Sequence, residues 1–145
     1  MSIVSTLKIS AVAIATTVVA ATSFAQGNSI NVQQYGLNNG VGGAQLGYYN
    51  MLELYQDGWG NTMVTTQDGN HNLGVVGQSG VGNNADLNQD GNCNIGGIAQ
   101  FGYGNDAALD QHGNCNSGAI IQVGDGHSAN TTQSGYGNSV VIIQN

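Results

Sequence analysis

Polar and apolar residues alternate along this chain in short segments that are typical of β-strands. In the segment that follows Asn83, Ala85 and Leu87 take the second and fourth positions, and Gln89 takes the sixth. Successive side chains of a strand point to opposite faces, so these residues share one face with the asparagine. The residues between them are mixed and include Asp86, which indicates a face in contact with water. The pattern predicts a strand of seven residues, from Asn to Gln, followed by a four-residue turn that contains glycine.

This alternation recurs at a fixed interval along the chain, in the form Q-x-G-x-x-N-x5. Only His127 replaces the asparagine once the pattern is established. The register extends back to Gln34, in a degenerate first repeat where Gly43 stands in place of an aliphatic residue. Because glycine adopts the positive φ angles that tight turns need, we assign the repeated glycines to turns. The inward glutamines and asparagines are predicted to form a stacking ladder.

The repeat defines four sets of residues. The ladder glutamines are Gln45, Gln56, Gln67, Gln78, Gln89, Gln100, Gln111, Gln122, Gln133 and Gln144. The ladder asparagines are Asn50, Asn61, Asn72, Asn83, Asn94, Asn105, Asn116 and Asn138. The turn glycines are Gly47, Gly58, Gly69, Gly80, Gly91, Gly102, Gly113, Gly124 and Gly135. The core aliphatic residues are Leu54, Val76, Leu87, Ile98, Leu109, Ile120 and Ile142.

Two kinds of turn alternate along the chain, so the structural unit is a 22-residue repeat made of two unlike 11-residue halves. One kind reads G-x-G-N, as in "GWGN" from Gly58, and the other reads G-N-[H/C]-N, as in "GNCN" from Gly91. Two strands joined by a turn then make one coil, and each coil completes the edge of the next. The predicted fold is all-β, a β-solenoid (cross-β) of 22-residue strand-turn-strand coils that form two parallel, in-register sheets. Amide-to-amide hydrogen bonds between stacked side chains would satisfy the buried glutamines and asparagines.

Open strand edges at the ends of such a stack would favour polymerisation. No capping segment is evident, and the apolar segment "NSVVIIQN" is predicted to be the last strand. Edges with unpaired backbone groups template further strands unless charge, proline or a cap protects them. We therefore expect end-to-end self-assembly, with the outward aspartates as gatekeepers. Since Asp68 should lie above Asp90 in the stack, acidification should speed assembly.

The first 25 residues are predicted to be a secretory signal peptide. Lys8 precedes an apolar run over residues 9–21, and Ser23 and Ala25 supply small residues for cleavage after Ala25. Cleavage would remove the only cation and change the formal net charge from −7 to about −8. The remaining chain would be exported to a compartment that permits disulfides, and it has no second apolar span.

Composition excludes several classes of function. The chain has one Lys and no Arg, and only 6% of its residues are charged, compared with roughly 25% in typical domains. Phosphate contacts need Lys or Arg, so nucleic acid is an unsuitable partner, and a polybasic membrane-surface patch is disfavoured for the same reason. Without a second apolar span, membrane insertion is not expected either. His71, His112 and His127 fall in predicted turns, and the acids are scattered over outward positions. We expect no enzyme activity and no cofactor.

The only two cysteines, Cys93 and Cys115, lie one 22-residue period apart in two copies of "GNCN". The repeat places them at equivalent turn positions of neighbouring coils, about 5 Å apart and within disulfide reach. Three interpretations remain open: a disulfide that clamps two coils, two free surface thiols, or a metal site that includes His71. A straight column of residues converges poorly on one metal ion, which disfavours the last.

The repeat resembles that of the curlin family, S-x5-Q-x-G-x2-N-x-A-x3-Q. Gln78, Gly80, Asn83, Ala85 and Gln89 match its second half. The segments from Gln100 to Gln111 and from Gln122 to Gln133 match it again, with His127 in place of Asn in the last of these. The resemblance implies a subunit of curli, the extracellular amyloid fibres that build biofilm matrix and promote surface adhesion and cell aggregation. It also implies a homopolymer that is exported through the periplasm. The implied partners are a minor curlin nucleator, an outer-membrane secretion pore and a periplasmic chaperone.

Some features depart from the family pattern. The leading serine is replaced by Asn50, Asn72, Asn94 and Asn116, and the two cysteines are not part of the motif. Residues 26–44 resemble the Gly/Asn-rich segment that targets curlins to the pore, and they overlap the degenerate first repeat. The repeat domain then covers residues 45–145. The minor, nucleating subunits of the family tend to carry a basic, divergent last repeat, whereas the exported part of this chain would lack Lys and Arg and its last repeat half is ordinary. The resemblance therefore implies a major subunit. The alternatives are a minor, nucleating subunit and a soluble, monomeric β-solenoid adhesin.

Overall fold

The computed structural model describes residues 8–14, 17–20 and 27–145, all of them in strands or in the short connections between strands. The strands are β1 Lys8–Ile14, β2 Thr17–Ala20, β3 Ser29–Leu37, β4 Gly40–Tyr48, β5 Met51–Trp59, β6 Thr62–Asn70, β7 Leu73–Val81, β8 Asn84–Asn92, β9 Ile95–Tyr103, β10 Asp106–Asn114, β11 Ser117–Asp125, β12 Ser128–Tyr136 and β13 Ser139–Gln144.

Odd-numbered and even-numbered strands form two separate parallel sheets. The seven-stranded sheet runs β1-β3-β5-β7-β9-β11-β13, and the six-stranded sheet runs β12-β10-β8-β6-β4-β2. From β3 onward each residue pairs with its counterpart in the next 22-residue repeat, as Leu87 with Leu109 and Gln89 with Gln111. The chain therefore alternates between the sheets and rises by one coil with each repeat. This confirms the predicted β-solenoid with two parallel, in-register sheets.

The strands are longer than predicted. Strands β3 to β12 have nine residues each instead of seven, so each strand continues past the ladder glutamine. In β8 the strand includes Gly91, and only Cys93 and Asn94 connect it to β9. Gly91 has a φ of 118°, and a side chain there would overlap the carbonyl oxygen of Gly113 in the next coil. Because these glycines lack a Cβ, neighbouring coils stay paired through positions that we assigned to the turn.

Inward side chains fill the space between the two sheets. Leu87, Leu109 and Ile120 are completely buried. Ile142 is only partly buried, because it lies in β13 at the edge of the seven-stranded sheet. Thr65 takes the place of an aliphatic residue, and its hydroxyl donates a hydrogen bond to the Gly42 carbonyl at 3.2 Å.

Side-chain size is matched across the core. A Cβ at Gly96 would lie 2.6 Å from Leu87 Cδ1, and one at Gly118 would lie 2.8 Å from Leu109 Cδ1. These glycines of the seven-stranded sheet therefore leave room for leucines of the six-stranded sheet. The arrangement is reversed in an earlier coil, where Ile30 lies beside Gly43. This matching of large and small side chains favours the close packing that is typical of protein interiors.

The stack begins before residue 45, because β3 and the first part of β4 lie within residues 26–44, the segment predicted to target the chain for secretion. The predicted cleavage site after Ala25 lies outside the described residues. Strands β1 and β2, which belong to the predicted signal peptide, add in parallel to β3 and β4. At the other end of the stack, β13 and β12 are the last strands of their sheets in the described chain. Within residues 8–14, 17–20 and 27–145, no helix has the length and apolarity needed to span a membrane.

Candidate functional site: the amide ladders and the cysteine column

The ladder glutamines form two continuous chains of hydrogen bonds, one in each sheet. In the six-stranded sheet, Gln67 Nε2 donates to Gln89 Oε1 at 2.7 Å, and Gln89 Nε2 donates to Gln111 Oε1 at 2.9 Å. The same bond joins Gln78 to Gln100 in the other sheet. Every bond runs in the same direction, from the amide nitrogen of one coil to the amide oxygen of the next. The ladder therefore has a donor end and an acceptor end.

Each glutamine also links the two sheets. The second N–H of Gln89 donates to the carbonyl oxygen of Leu73 in β7, at 3.0 Å. Gln78 makes the equivalent bond to the carbonyl oxygen of Thr62 in β6. The amide group is completely buried in each case, and its hydrogen bonds offset the cost of removing it from water. Among the described residues, no buried side-chain nitrogen or oxygen lacks a partner.

The asparagine column differs from the prediction, because its hydrogen bonds go mainly to the backbone. Asn72 Nδ2 donates to the Gly91 carbonyl at 2.8 Å, and Asn72 Oδ1 accepts the backbone N–H of Asn94 at 2.9 Å. Bonds between side chains occur only in parts of the column, as between Asn61 and Asn39 at 3.3 Å. The asparagine side chain is shorter than that of glutamine and lies beside the turn. It therefore fixes the turn of one coil against the next.

The structure extends both columns beyond the predicted sets. Gln34, Asn28 and Asn39 are buried, and their hydrogen bonds to the next coil match those of their counterparts in later coils. The repeat register already pointed to Gln34, which lies in the degenerate first repeat that overlaps residues 26–44.

One column of turn residues runs across the coils and includes both cysteines. We call Tyr49, His71, Cys93, Cys115 and Gly137 the cysteine column; each precedes a ladder asparagine. All five have left-handed backbone conformations, with φ between 54° and 69°. That conformation costs a residue with a side chain roughly 1–2 kcal/mol, which explains why glycine fills the equivalent position in most of the other turns.

Contacts between neighbouring coils compensate for this cost. Cys93 and Cys115 form a disulfide with a Cα–Cα distance of 4.6 Å. One coil away, the rings of Tyr49 and His71 stack with their centroids 5.2 Å apart and an interplanar angle of 29°. Sequence reasoning treated His71 only as a solvated histidine or a weak metal ligand. Alignment of the chain on its 22-residue repeat would have revealed its aromatic partner.

The structure does not assemble the suggested metal site. Cys93 and Cys115 are bonded to each other, and His71 lies against Tyr49. The described residues contain no group of three or more His, Cys, Asp or Glu side chains arranged to hold a metal ion. In the adjacent column, His112 Nδ1 lies 3.7 Å from Asp90 Oδ2, and both side chains are largely exposed. This is a surface ion pair when the histidine is protonated, and such pairs contribute little to stability.

Reduction of the disulfide should weaken the stack without changing its architecture. The bond closes a 22-residue loop, and its loss should lower the free energy of unfolding by about 3 kcal/mol. The strands should persist, because glutamine and asparagine bonds hold the same coils on either side of the bond. The measurement is the guanidinium midpoint by circular dichroism, with and without reductant.

The matched control for that experiment is the double variant Cys93→Ser, Cys115→Ser, whose midpoint should not respond to reductant. Intact mass spectrometry after thiol alkylation should show no alkylated cysteine in the untreated protein. Full alkylation before reduction would show that the two thiols are free and would contradict the disulfide.

The environment of Asp86 displaces the pKa of its carboxyl. Partial burial raises its pKa above the ordinary value of 3.8, and the negative charges of Asp110 and Asp106 raise it further. All three lie on the outer face of the six-stranded sheet, in β8 and β10. Folding thus brings acids together that repel one another when ionised.

Acidification should therefore stabilise the stack. A raised carboxyl pKa means that the ionised group destabilises the folded state at any pH above that pKa. As the pH falls through the raised pKa toward 3.8, the folded state takes up the proton first and the destabilisation disappears. The guanidinium midpoint should rise between pH 7 and pH 4. In Asp86→Asn it should already be higher at pH 7 and rise less on acidification; an equal rise in both proteins would contradict this assignment.

Comparison with known proteins identifies the repeat. The family model for the curlin associated repeat matches residues 60–91 and 102–130, which lie within the regular part of the stack. No curated protein matches the chain, and no solved structure does. The matched segments contain five of the ladder glutamines, Gln67, Gln78, Gln89, Gln111 and Gln122, together with turn glycines and buried asparagines of the same repeats.

Proposed function

Because this chain belongs to the family of curlin-repeat proteins, we propose that it is the major structural subunit of an extracellular, curli-type amyloid fibre. The curlin repeat and the β-solenoid are structural in character, and the protein acts by assembling rather than by catalysis. Copies add end to end, so that the two sheets continue from one subunit to the next along the fibre axis.

The directional glutamine ladder is the observation that supports this proposal. At the β12–β13 end, Gln133 and Gln144 each donate to a backbone carbonyl, and within the described chain their other N–H has no partner. At the β3–β4 end, the amide oxygens of Gln34 and Gln45 accept no bond from the described residues. Donors at one end complement acceptors at the other. This arrangement favours head-to-tail addition of identical subunits, the type of contact that produces open filaments.

The edge of the first coil can accept strands in the required direction. β1 and β2 pair in parallel with β3 and β4, but Ala11 lies in register with Gln34 and supplies no amide. In our proposal, removal of residues 1–25 on export frees this edge for β12 and β13 of another copy. The signal peptide would thus be replaced by strands that carry ladder glutamines.

The finer biological role is also part of the proposal. The fibre contributes to biofilm matrix, surface adhesion and cell aggregation. The subunit reaches the cell surface through the periplasm, with a periplasmic chaperone and an outer-membrane pore, and residues 26–44 target it to that pore. A minor curlin starts the fibre. These partners follow from the family resemblance, and the exposed, weakly charged repeat surface is compatible with them.

Assembly of the purified, exported protein tests the proposal. Incubation at micromolar concentration should produce fibres, and aligned fibres should diffract at about 4.8 Å along their axis. A soluble, monomeric β-solenoid would instead remain folded and monomeric for days, which would contradict the proposal. A minor subunit would assemble poorly alone but would shorten the lag of another curlin. The major-subunit assignment predicts efficient assembly without a second protein.

A further inference from the structure

The two outer faces of the solenoid differ in chemistry. Large apolar side chains are exposed mainly on the seven-stranded sheet, whose outer face over β3–β13 we call the apolar face. It exposes Tyr35, Leu37, Met51, Tyr55, Trp59, Val75, Val81, Ile95, Phe101, Tyr103, Val123, Val141 and Ile143. The outer face of the six-stranded sheet exposes only Leu46, Tyr48, Val64 and Tyr136 from the same class. The motif Q-x-G-x-x-N-x5 does not specify this difference, because the strands of both sheets follow it.

Charge is distributed in the opposite sense. Five of the eight acids, Asp68, Asp86, Asp90, Asp106 and Asp110, lie on the outer face of the six-stranded sheet, which we call the acidic face. They lie close enough for Asp106 and Asp110 to raise the pKa of Asp86. The apolar face carries three acids: Glu53 and Asp57 are the third and seventh residues of the nine-residue β5, and Asp125 is the last residue of β11. Two acidic faces would therefore repel each other more strongly than two apolar faces, which carry fewer acids.

We propose that the apolar face packs against the apolar face of a second copy, so that the fibre contains two stacks joined through their seven-stranded sheets. This inference rests on the proposed function, because it concerns how assembled stacks associate. The occupant of the face is another copy of this chain. The acidic face remains in water on both outer sides of the pair and limits further lateral growth.

The available area is sufficient for such an interface. Strands of nine residues span about 30 Å, and the six strands β3, β5, β7, β9, β11 and β13 cover about 29 Å across the sheet. One subunit therefore offers roughly 850 Å², close to the ~800 Å² per partner of a standard stable interface. End-to-end assembly repeats this face along the fibre, so the buried area grows with every subunit. A single subunit has no such advantage, and we expect pairing to accompany fibre growth.

The surface relief of the apolar face also suits a facing sheet. Gly77 leaves a groove of about 170 Å³ beside Tyr55 and Val75, and a Cβ built on Gly77 would meet no atom within 4 Å. Sheets that pack face to face lie about 10 Å apart with interdigitated side chains, so a side chain of the facing sheet can fill this groove. Glu53 also lines the groove. Its ionised carboxylate opposes drying of the interface, so Glu53→Gln should strengthen pairing at neutral pH.

A matched pair of variants tests the proposal. Val75 and Val64 are each the third residue of their strands, β7 and β6, which follow each other in the chain but lie in opposite sheets. Their exposed fractions are similar, at 42% and 47%. Val75 is paired in register with Glu53 on the apolar face, and Val64 with Asp86 on the acidic face. Val75→Asp and Val64→Asp therefore each place a new acid beside an existing one. Because Asp86 already has Asp106 and Asp110 nearby, Val64→Asp should weaken the stack itself at least as much as Val75→Asp does. Only Val75→Asp introduces a charge into the proposed interface.

The readout is the fibre's mass per unit length, together with its cross-section by electron cryomicroscopy. Wild-type and Val64→Asp fibres should contain two stacks, and Val75→Asp fibres should contain one, a twofold drop in mass per length. Two results would overturn the inference: single-stack wild-type fibres, or paired stacks that Val64→Asp separates while Val75→Asp does not. Failure of the wild type to form fibres would overturn the proposed function and this inference together.

Discussion

Replacement of Gly91 by alanine should abolish the ordered stack under conditions in which the wild-type protein forms it. Gly91 has a φ of 118°, and an alanine Cβ would overlap the carbonyl oxygen of Gly113 in the next coil. Backbone strain of this type costs about 1–3 kcal/mol, and overpacking adds a similar amount. The total, roughly 3 kcal/mol or more, is a large part of the 5–15 kcal/mol that stabilises a typical domain. The loss of strand signal in circular dichroism and the failure to form fibres would report it.

Gly77→Ala is the matched control for that substitution. Gly77 lies in β7 at an outward position, and a Cβ there would meet no atom within 4 Å. Alanine should therefore be tolerated, and it should slightly stabilise the fold by restricting the unfolded chain. If Gly91→Ala assembled as readily as Gly77→Ala, neighbouring coils could not be as closely apposed at Gly91 and Gly113 as the structure places them.

Replacement of Gln89 by methionine should lower the free energy of unfolding by roughly 2–5 kcal/mol. Methionine preserves much of the shape but removes the amide, which breaks the ladder between Gln67 and Gln111. One N–H of Gln67, the amide oxygen of Gln111 and the carbonyl of Leu73 each lose a buried partner. A buried polar group left without a partner costs more free energy than its hydrogen bond contributes. Because the unpaired groups lie in the coils on both sides of Gln89, one substitution affects three coils. The guanidinium midpoint and the elongation rate of fibres both measure the effect.

Gln33→Met controls for the change in composition. Gln33 precedes the ladder residue Gln34 and points outward, where it lines the groove beside Tyr55. Loss of its amide should leave the midpoint nearly unchanged. Equal destabilisation by Gln33→Met and Gln89→Met would show that an inward ladder glutamine contributes no more to the free energy of unfolding than an outward one.

The sequence was sufficient to predict the architecture, because a strict repeat determines which residues stack. Once the 22-residue period is recognised, Gln89 must lie beneath Gln111, and Cys93 must lie beside Cys115. Alternation within each repeat then decides which residues face inward. No long-range packing problem had to be solved, since every coil contacts coils of nearly the same sequence.

Other features depend on geometry that the pattern does not specify. The strands extend through Gly91, where neighbouring coils lie too close together for a Cβ. Turn propensity alone cannot distinguish such a glycine from a glycine in a true turn. Asn72 bonds the backbone of its neighbours because its short side chain ends at the turn. Thr65 stands where other repeats have a core aliphatic residue, and Gly96 leaves room for Leu87; both reflect packing between the two sheets. Those contacts follow from the width of the coil, not from the period.

The path of the chain within a fibre tests the central claim most directly. Electron cryomicroscopy of fibres at side-chain resolution should show each chain winding through successive layers about 4.8 Å apart, with one 22-residue coil per layer. Gln89 should lie directly between Gln67 and Gln111 of the same molecule. Fibres in which every layer is a separate, flat chain, with Gln89 stacked on Gln89 of its neighbours, would contradict the account.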